Sequence, residues 1–107
     1  MKKDTELKQN FGAVYAGAIY PDLAKIFQGH GYALAVHGSV ARDFDLIAVP
    51  WAETVSSIDL VFDSVEKEFG VKINRKDYAD RNHGRRAWIM TFGFGESAVD
   101  LSLFPND

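Results

Sequence analysis

The chain has no cysteine, which excludes disulfides and thiolate metal sites and accords with a cytoplasmic protein. It also lacks any apolar run near the roughly 20 residues that a membrane-spanning helix requires. Met1-Lys2-Lys3 leads into Asp4, Glu6 and Lys8 instead of an apolar centre, so the amino end does not read as a signal peptide. A net charge of −3 removes any general attraction to nucleic acid or to an anionic membrane, and phosphate binding, where it occurs, has to be local. Walker loops, zinc-spaced histidines, nucleophile elbows and dinucleotide fingerprints are all missing. There is no internal repeat, linker or low-complexity tract.

What is present describes one domain. At 107 residues, with 47% hydrophobic and 25% charged side chains, the chain is long enough for a real core and ordinary in composition for a globule. Leu7, Phe11, Val14, Tyr15, Ala18 and Ile19 recur at three and four, which predicts an amphipathic helix over residues 4–20, weakened by Gly12 and Gly17. Pro21 opens a second helix, Asp22 to Gln28, with Leu23, Ile26 and Phe27 inward, and Gly29-His30-Gly31 supplies a left-handed stop. Strands are expected at Tyr32 to His37 and Asp43 to Trp51, the second ended by Pro50. Their short connection makes them antiparallel or sharply turned neighbours. From Thr54 to Phe69 the pattern is helical, with Val55, Ile58, Leu60, Val61, Phe62, Val65 and Phe69 on one broad face and Gly70 as the stop. A short strand is expected at Val71 to Asn74, then an exposed loop from Arg75 to Arg85. Strands at Arg86 to Gly93 and Ala98 to Phe104 follow, joined by a hairpin at Gly93 to Glu96. The order predicts an α+β two-layer sandwich, a mixed sheet of about five strands with helices on one face.

The candidate site lies in His37 to Trp51, HGSVARDFDLIAVPW. Side chains alternate along a strand, so Asp43 and Asp45 share one face while Phe44, Leu46 and Ala48 point to the other. Two carboxylates that close repel unless water or a cation intervenes, and hard oxygen donors suit magnesium or manganese. Downstream, Asp100 sits between Val99 and Leu101 in an otherwise apolar strand, where propensity gives it no reason to be. Each candidate also has a plainer reading. The Asp43 and Asp45 carboxylates would simply be solvated at a strand start, His37 would bond to backbone, Arg42 would pair in the turn, and Lys76, His83, Arg85 and Arg86 would belong to a solvated basic loop. Trp51 and Trp88 are expected in the core rather than as base-stacking platforms.

A Gly38-Ser39 turn leaving one strand, Asp43-x-Asp45 on the next and a lone Asp100 on a later apolar strand resemble the nucleotidyltransferase-fold superfamily over about Tyr32 to Phe104. The chain further resembles short proteins encoded by bacteriophages and prophages, alike at HGSVARDFDLIAVPW, HGRRAW and VDLSLFP. The resemblance implies that Asp43, Asp45 and Asp100 hold divalent metal (Mg2+ or Mn2+) for attack on an α-phosphate. It also implies that Gly38 and Ser39 contact a nucleotide, with Arg42, the one positive charge in the turn, added as a phosphate partner, and a phage origin would place the protein in the host cytoplasm. Arg85 and Arg86 are added as planar guanidinium partners for phosphate. One departure bears on activity. Only Val40, Ala41 and Arg42 separate the Gly-Ser pair from Asp43, too few for a helical turn whose free N–H groups face an anion. Two classes stay open: a nucleotide- or phospholigand-binding domain with slow or absent transfer, and a non-enzymatic module that acts on a host protein or sequesters a nucleotide signal.

Overall fold

The computed structural model describes residues 17–37, 44–92 and 99–104. The helix expected over residues 4–20 and the hairpin at Gly93 to Glu96 fall almost wholly outside these residues, as do Gly38, Ser39, Arg42 and Asp43. The fold is α+β. Helix α1 (Tyr20–Gly29) precedes strands β1 (Tyr32–His37) and β2 (Phe44–Pro50); helix α2 (Ile58–Phe69) then leads to β3 (Tyr78–Arg81), β4 (Arg85–Met90) and β5 (Val99–Leu103). The five strands form one mixed sheet in the order β1-β2-β5-β4-β3. Strand β2 pairs parallel with β5, and every other neighbour is antiparallel. No helix among the described residues is long and apolar enough to cross a membrane.

The strand alternation read from the sequence builds the core. Phe44, Leu46 and Ala48 on β2, Val99 and Leu101 on β5 and Trp88 and Met90 on β4 are buried on one sheet face. Leu23 and Phe27 of α1 and Val61, Phe62 and Val65 of α2 are buried in the same cluster. Phe62 meets Trp88 edge to face at 5.0 Å between ring centroids, a favoured aromatic geometry. The opposite sheet face carries His37, Asp45, Ile47, Asp100, Ser102 and Ile89, fixed by the ladder register.

Both helices begin and end for local reasons. Pro21 occupies the first turn of α1, where its missing N–H costs nothing. Beyond α1 the left-handed residue is Gly31, at φ +96°, not His30. Helix α2 starts four residues later than the expected Thr54, because the Ser57 hydroxyl accepts from the Leu60 N–H as an N-cap. The residues before it are spent elsewhere: the Gly31 carbonyl accepts from Trp51 and Ala52 N–H, and the His30 carbonyl from Ser56 N–H. His30 also spans Ser56 Oγ at 2.7 Å and Ser64 Oγ at 2.9 Å. The Ser64 hydroxyl also donates to the Leu60 carbonyl at 3.3 Å, so His30 is tied to both the turn and α2. Leu60, expected inward, is on the solvent side of α2 at 54% exposure.

Three further expectations are corrected. Val71 to Asn74 forms no strand; the Ile73 N–H donates to the Glu66 carboxylate at 2.8 Å instead of to a ladder. The stretch Arg75 to Arg85 is not a plain loop. It contains β3 and a tight Asn82–Gly84 turn, with His83 and Gly84 both at positive φ. Trp51 lies 84% exposed, whereas Trp88 is in the core with its indole N–H on the Arg75 carbonyl.

Arg75 ties α2 to the sheet. Its guanidinium reaches Asp63 at 2.7 Å, Glu66 at 3.0 Å and Asp59 at 3.3 Å, and lies 5.7 Å from the centroid of the Phe62 ring. The Ile73 N–H above all holds the Glu66 carboxyl below its ordinary pKa; burial opposes it, and the charge and hydrogen bond of Arg75 add to the lowering. Two outcomes follow. A Glu66 carboxyl with a lowered folded-state pKa contributes stability that is present above its unfolded value of about 4.3 and lost as pH falls through the lower folded value. Glu66→Gln should therefore flatten the acid limb of a stability-against-pH curve measured by urea unfolding. In Gly31→Ala, a Cβ would stand 2.8 Å from the Thr54 carbonyl oxygen on a left-handed backbone. Chemical denaturation should show a loss of roughly 1–3 kcal/mol, the usual cost of such strain.

Candidate functional site

The ladder brings two of the three predicted carboxylates together. Asp45 and Asp100 are register partners on the adjacent parallel strands β2 and β5, so their Cα atoms are about 4.8 Å apart and their side chains leave the same sheet face. Both are half-buried. His37 pairs with Asp45 on the other side and Ile89 with Asp100, giving one row across four strands: His37, Asp45, Asp100, Ile89. This face points away from α1 and α2, whose buried residues share the other side of the sheet.

The predicted arginines separate. Arg85 lies on the carboxylate face, donating from Nη1 to Ser102 Oγ at 3.4 Å and from Nε to the Asn82 carbonyl at 3.2 Å. Arg86 has the opposite strand phase, as consecutive residues must. Its guanidinium stacks 3.9 Å from the Tyr78 ring centroid and its Nε donates to Asp80. Arg86 therefore serves the β3–β4 hairpin and does not join Asp45 and Asp100.

A residue that sequence reasoning passed over sits at the centre of the site. Arg81 donates from Nη2 to Asp100 Oδ2 at 3.0 Å. Its register partner is Arg85, four residues along β4 from Ile89, which is opposite Asp100. Arg81 therefore reaches Asp100 diagonally across β4, from the edge strand to the strand beyond it. The signal for it was hidden because β3 is exposed at all four positions and shows no apolar alternation.

Two carboxylates on neighbouring strands are a hard-oxygen donor pair of the kind magnesium or manganese takes, with waters completing the shell. Among the described residues no group of three histidine, aspartate or glutamate side chains is gathered for a metal, so a three-carboxylate site depends on Asp43. Elsewhere, a shallow depression of about 660 Å³ is lined by Asp63, Glu66, Lys72, Ile73, Asn74, Arg75 and Lys76. Its carboxylates are already engaged by Arg75. A second hollow of about 370 Å³ lies between α1 and the β1 edge beside Trp51, and it has no charged side chain in its lining. No family model, no curated protein and no solved structure matches the chain.

The pair between Arg81, 40% exposed, and Asp100, 20% exposed, bears on whether Asp100 is structural or available. An ion pair so open to water contributes about 0–1 kcal/mol, and removing one of two adjacent carboxylates also relieves their repulsion. Asp100→Asn should thus change unfolding free energy by no more than about 1 kcal/mol. A loss of several kcal/mol in urea unfolding would mark the carboxylate as a structural part of the sheet.

Proposed function

We propose that the protein is a small nucleotidyltransferase-like domain, phage or prophage encoded, that binds a nucleotide or another phosphorylated ligand with a divalent cation. The observation that carries this reading is the in-register placement of Asp45 beside Asp100 on the two parallel strands of the sheet. Asp45 and Asp100, with Asp43 from outside the described residues, would hold the cation, which when bound screens phosphate charge. Arg85 would take a phosphate oxygen on the same face, and Gly38, Ser39 and Arg42 would meet the ligand from the connection between β1 and β2. Arg86 has no part in this version, because its guanidinium belongs to the other face.

The same reading makes transfer slow or absent. In-line attack depends on a triphosphate held in position by pre-set donors. Neither described helix can direct its N-terminal N–H groups at this face, since α1 and α2 cover the opposite side and α2 is closed by Ser57. A second reading, a non-enzymatic module acting on a host protein or sequestering a nucleotide signal, draws on the Arg81 contact to Asp100, which sets a protein cation where the metal would otherwise balance the charge.

Calorimetric titration separates these outcomes. Wild-type protein should bind manganese weakly and more tightly together with a nucleoside triphosphate, and an Asp45→Asn, Asp100→Asn double variant should lose manganese binding under both conditions. Wild-type affinities in that double variant would remove the carboxylate assignment. For turnover, labelled triphosphates with manganese and a host lysate should leave little label on any acceptor. Strong labelling that vanishes in Asp43→Asn would make the protein an enzyme.

A further inference from the structure

Arg81 and Arg85 are directly opposed cross-strand partners on the β3–β4 hairpin, and like charges in that position repel. The structure resolves the repulsion only in part. Arg81 is balanced by Asp100, while the hydrogen bonds of Arg85 go to a carbonyl and a hydroxyl, neither of them charged. The ladder after the tight Asn82–Gly84 turn sets the two backbone positions side by side, and Ser102, 1% exposed and two residues along β5 from Asp100, accepts from Arg85. Two guanidinium groups on one side of a hairpin, one without a carboxylate partner among the described residues, offer a fork for an oxyanion with several acceptor oxygens.

We propose that Arg81 and Arg85 together bind a phosphate-type oxyanion, and that Arg81 exchanges between Asp100 and that anion. The arginine pair stands on the hairpin geometry alone; the exchange rests on the proposed use of Asp100 as a cation ligand. Exchange is favoured by how weakly Arg81 is held. Among the described residues it makes one side-chain contact, and the ordering entropy of an arginine side chain is comparable to what a solvent-exposed pair contributes. Moving Arg81 onto a phosphate leaves its charge compensated and frees the Asp100 oxygen at the same moment. Anion and divalent cation then bind cooperatively, each removing the other's competitor.

The test uses the full chain with two probes, pyrophosphate alone and Mn2+ alone, read by calorimetry. Arg85→Gln and Arg81→Gln should each weaken metal-free pyrophosphate binding by about tenfold or more, the effect of losing a charge-assisted hydrogen bond. Asp100→Asn, which releases Arg81, should tighten metal-free pyrophosphate binding by roughly two- to fivefold, the worth of an exposed ion pair. Arg81→Gln should tighten Mn2+ binding by a similar factor, about two- to fivefold. Pyrophosphate affinity unchanged in both arginine variants, each confirmed folded by its thermal transition, overturns the pair. Loss of pyrophosphate binding with no gain of Mn2+ affinity in Arg81→Gln supports the pair and overturns the exchange. No Mn2+ binding by wild type or variant removes the metal reading itself and leaves the arginine pair to be judged on pyrophosphate alone.

Discussion

The parallel pairing of β2 with β5 is the constraint from which the rest of the molecule follows. Two strands that run the same way cannot be joined by a tight turn, so the chain between them has to cross from one end of the sheet to the other. It does so through α2 and then the β3–β4 hairpin, which adds two antiparallel strands on the far side of β5. The central position buries Phe44, Leu46, Val99 and Leu101 completely on the helix side. A slip of one residue in this register would turn those side chains outward and the carboxylates inward, at a cost the fold could not bear. The same register therefore sets the core and places Asp45 beside Asp100.

Much of this was legible in the strand phase. Asp-Phe-Asp-Leu-Ile-Ala-Val places acidic and apolar side chains alternately, and period two leaves only one way to bury Phe44 and Leu46. The antiparallel β1–β2 connection followed from its shortness, and the helices from their spacing, Pro21 and Gly70. The errors share a cause: segments whose structure is decided by polar groups instead of by apolar period. Strand β3 is held to β4 by its ladder, by Asp80 on Arg86 and by Tyr78 against Trp88. Residues 71–74 lost their expected strand to one hydrogen bond from Ile73 to Glu66. The start of α2 shifted because Ser57 caps and the residues before it bind the turn at His30 and Gly31. Trp51, a core residue by type, was carried to the surface by its position just past Pro50, where its N–H closes onto the Gly31 carbonyl.

Of the candidate site, the pairing of Asp45 with Asp100 was legible because each interrupts an apolar strand. The role of Arg81 was not, since it depends on a hairpin that the composition disguises and on a contact nineteen residues away in sequence. Arg85 and Arg86 look equivalent in the sequence, yet successive residues on a strand cannot share a face, and only the strand boundary decides which of them meets the carboxylates.

The two arginine-centred clusters show why chemistry is assigned to the outer sheet face and not to the larger depression beside α2. Arg75 is 27% exposed and makes contacts to three carboxylates while also lying over Phe62, and its own carbonyl accepts from buried Trp88. Removing it would strand several negative charges on one helix face and break the link between α2 and β4. Such a guanidinium is fixed, and its carboxylates are committed with it. Among the described residues Arg81 makes one side-chain ion pair from a half-open position, and the Asp100 it meets has Asp45 beside it, so the proposed release would cost little. The depression beside α2 is therefore a place where charge is consumed in holding the fold together. On the outer face, the proposed exchange of Arg81 between Asp100 and a phosphate draws on an ion pair that is open to water.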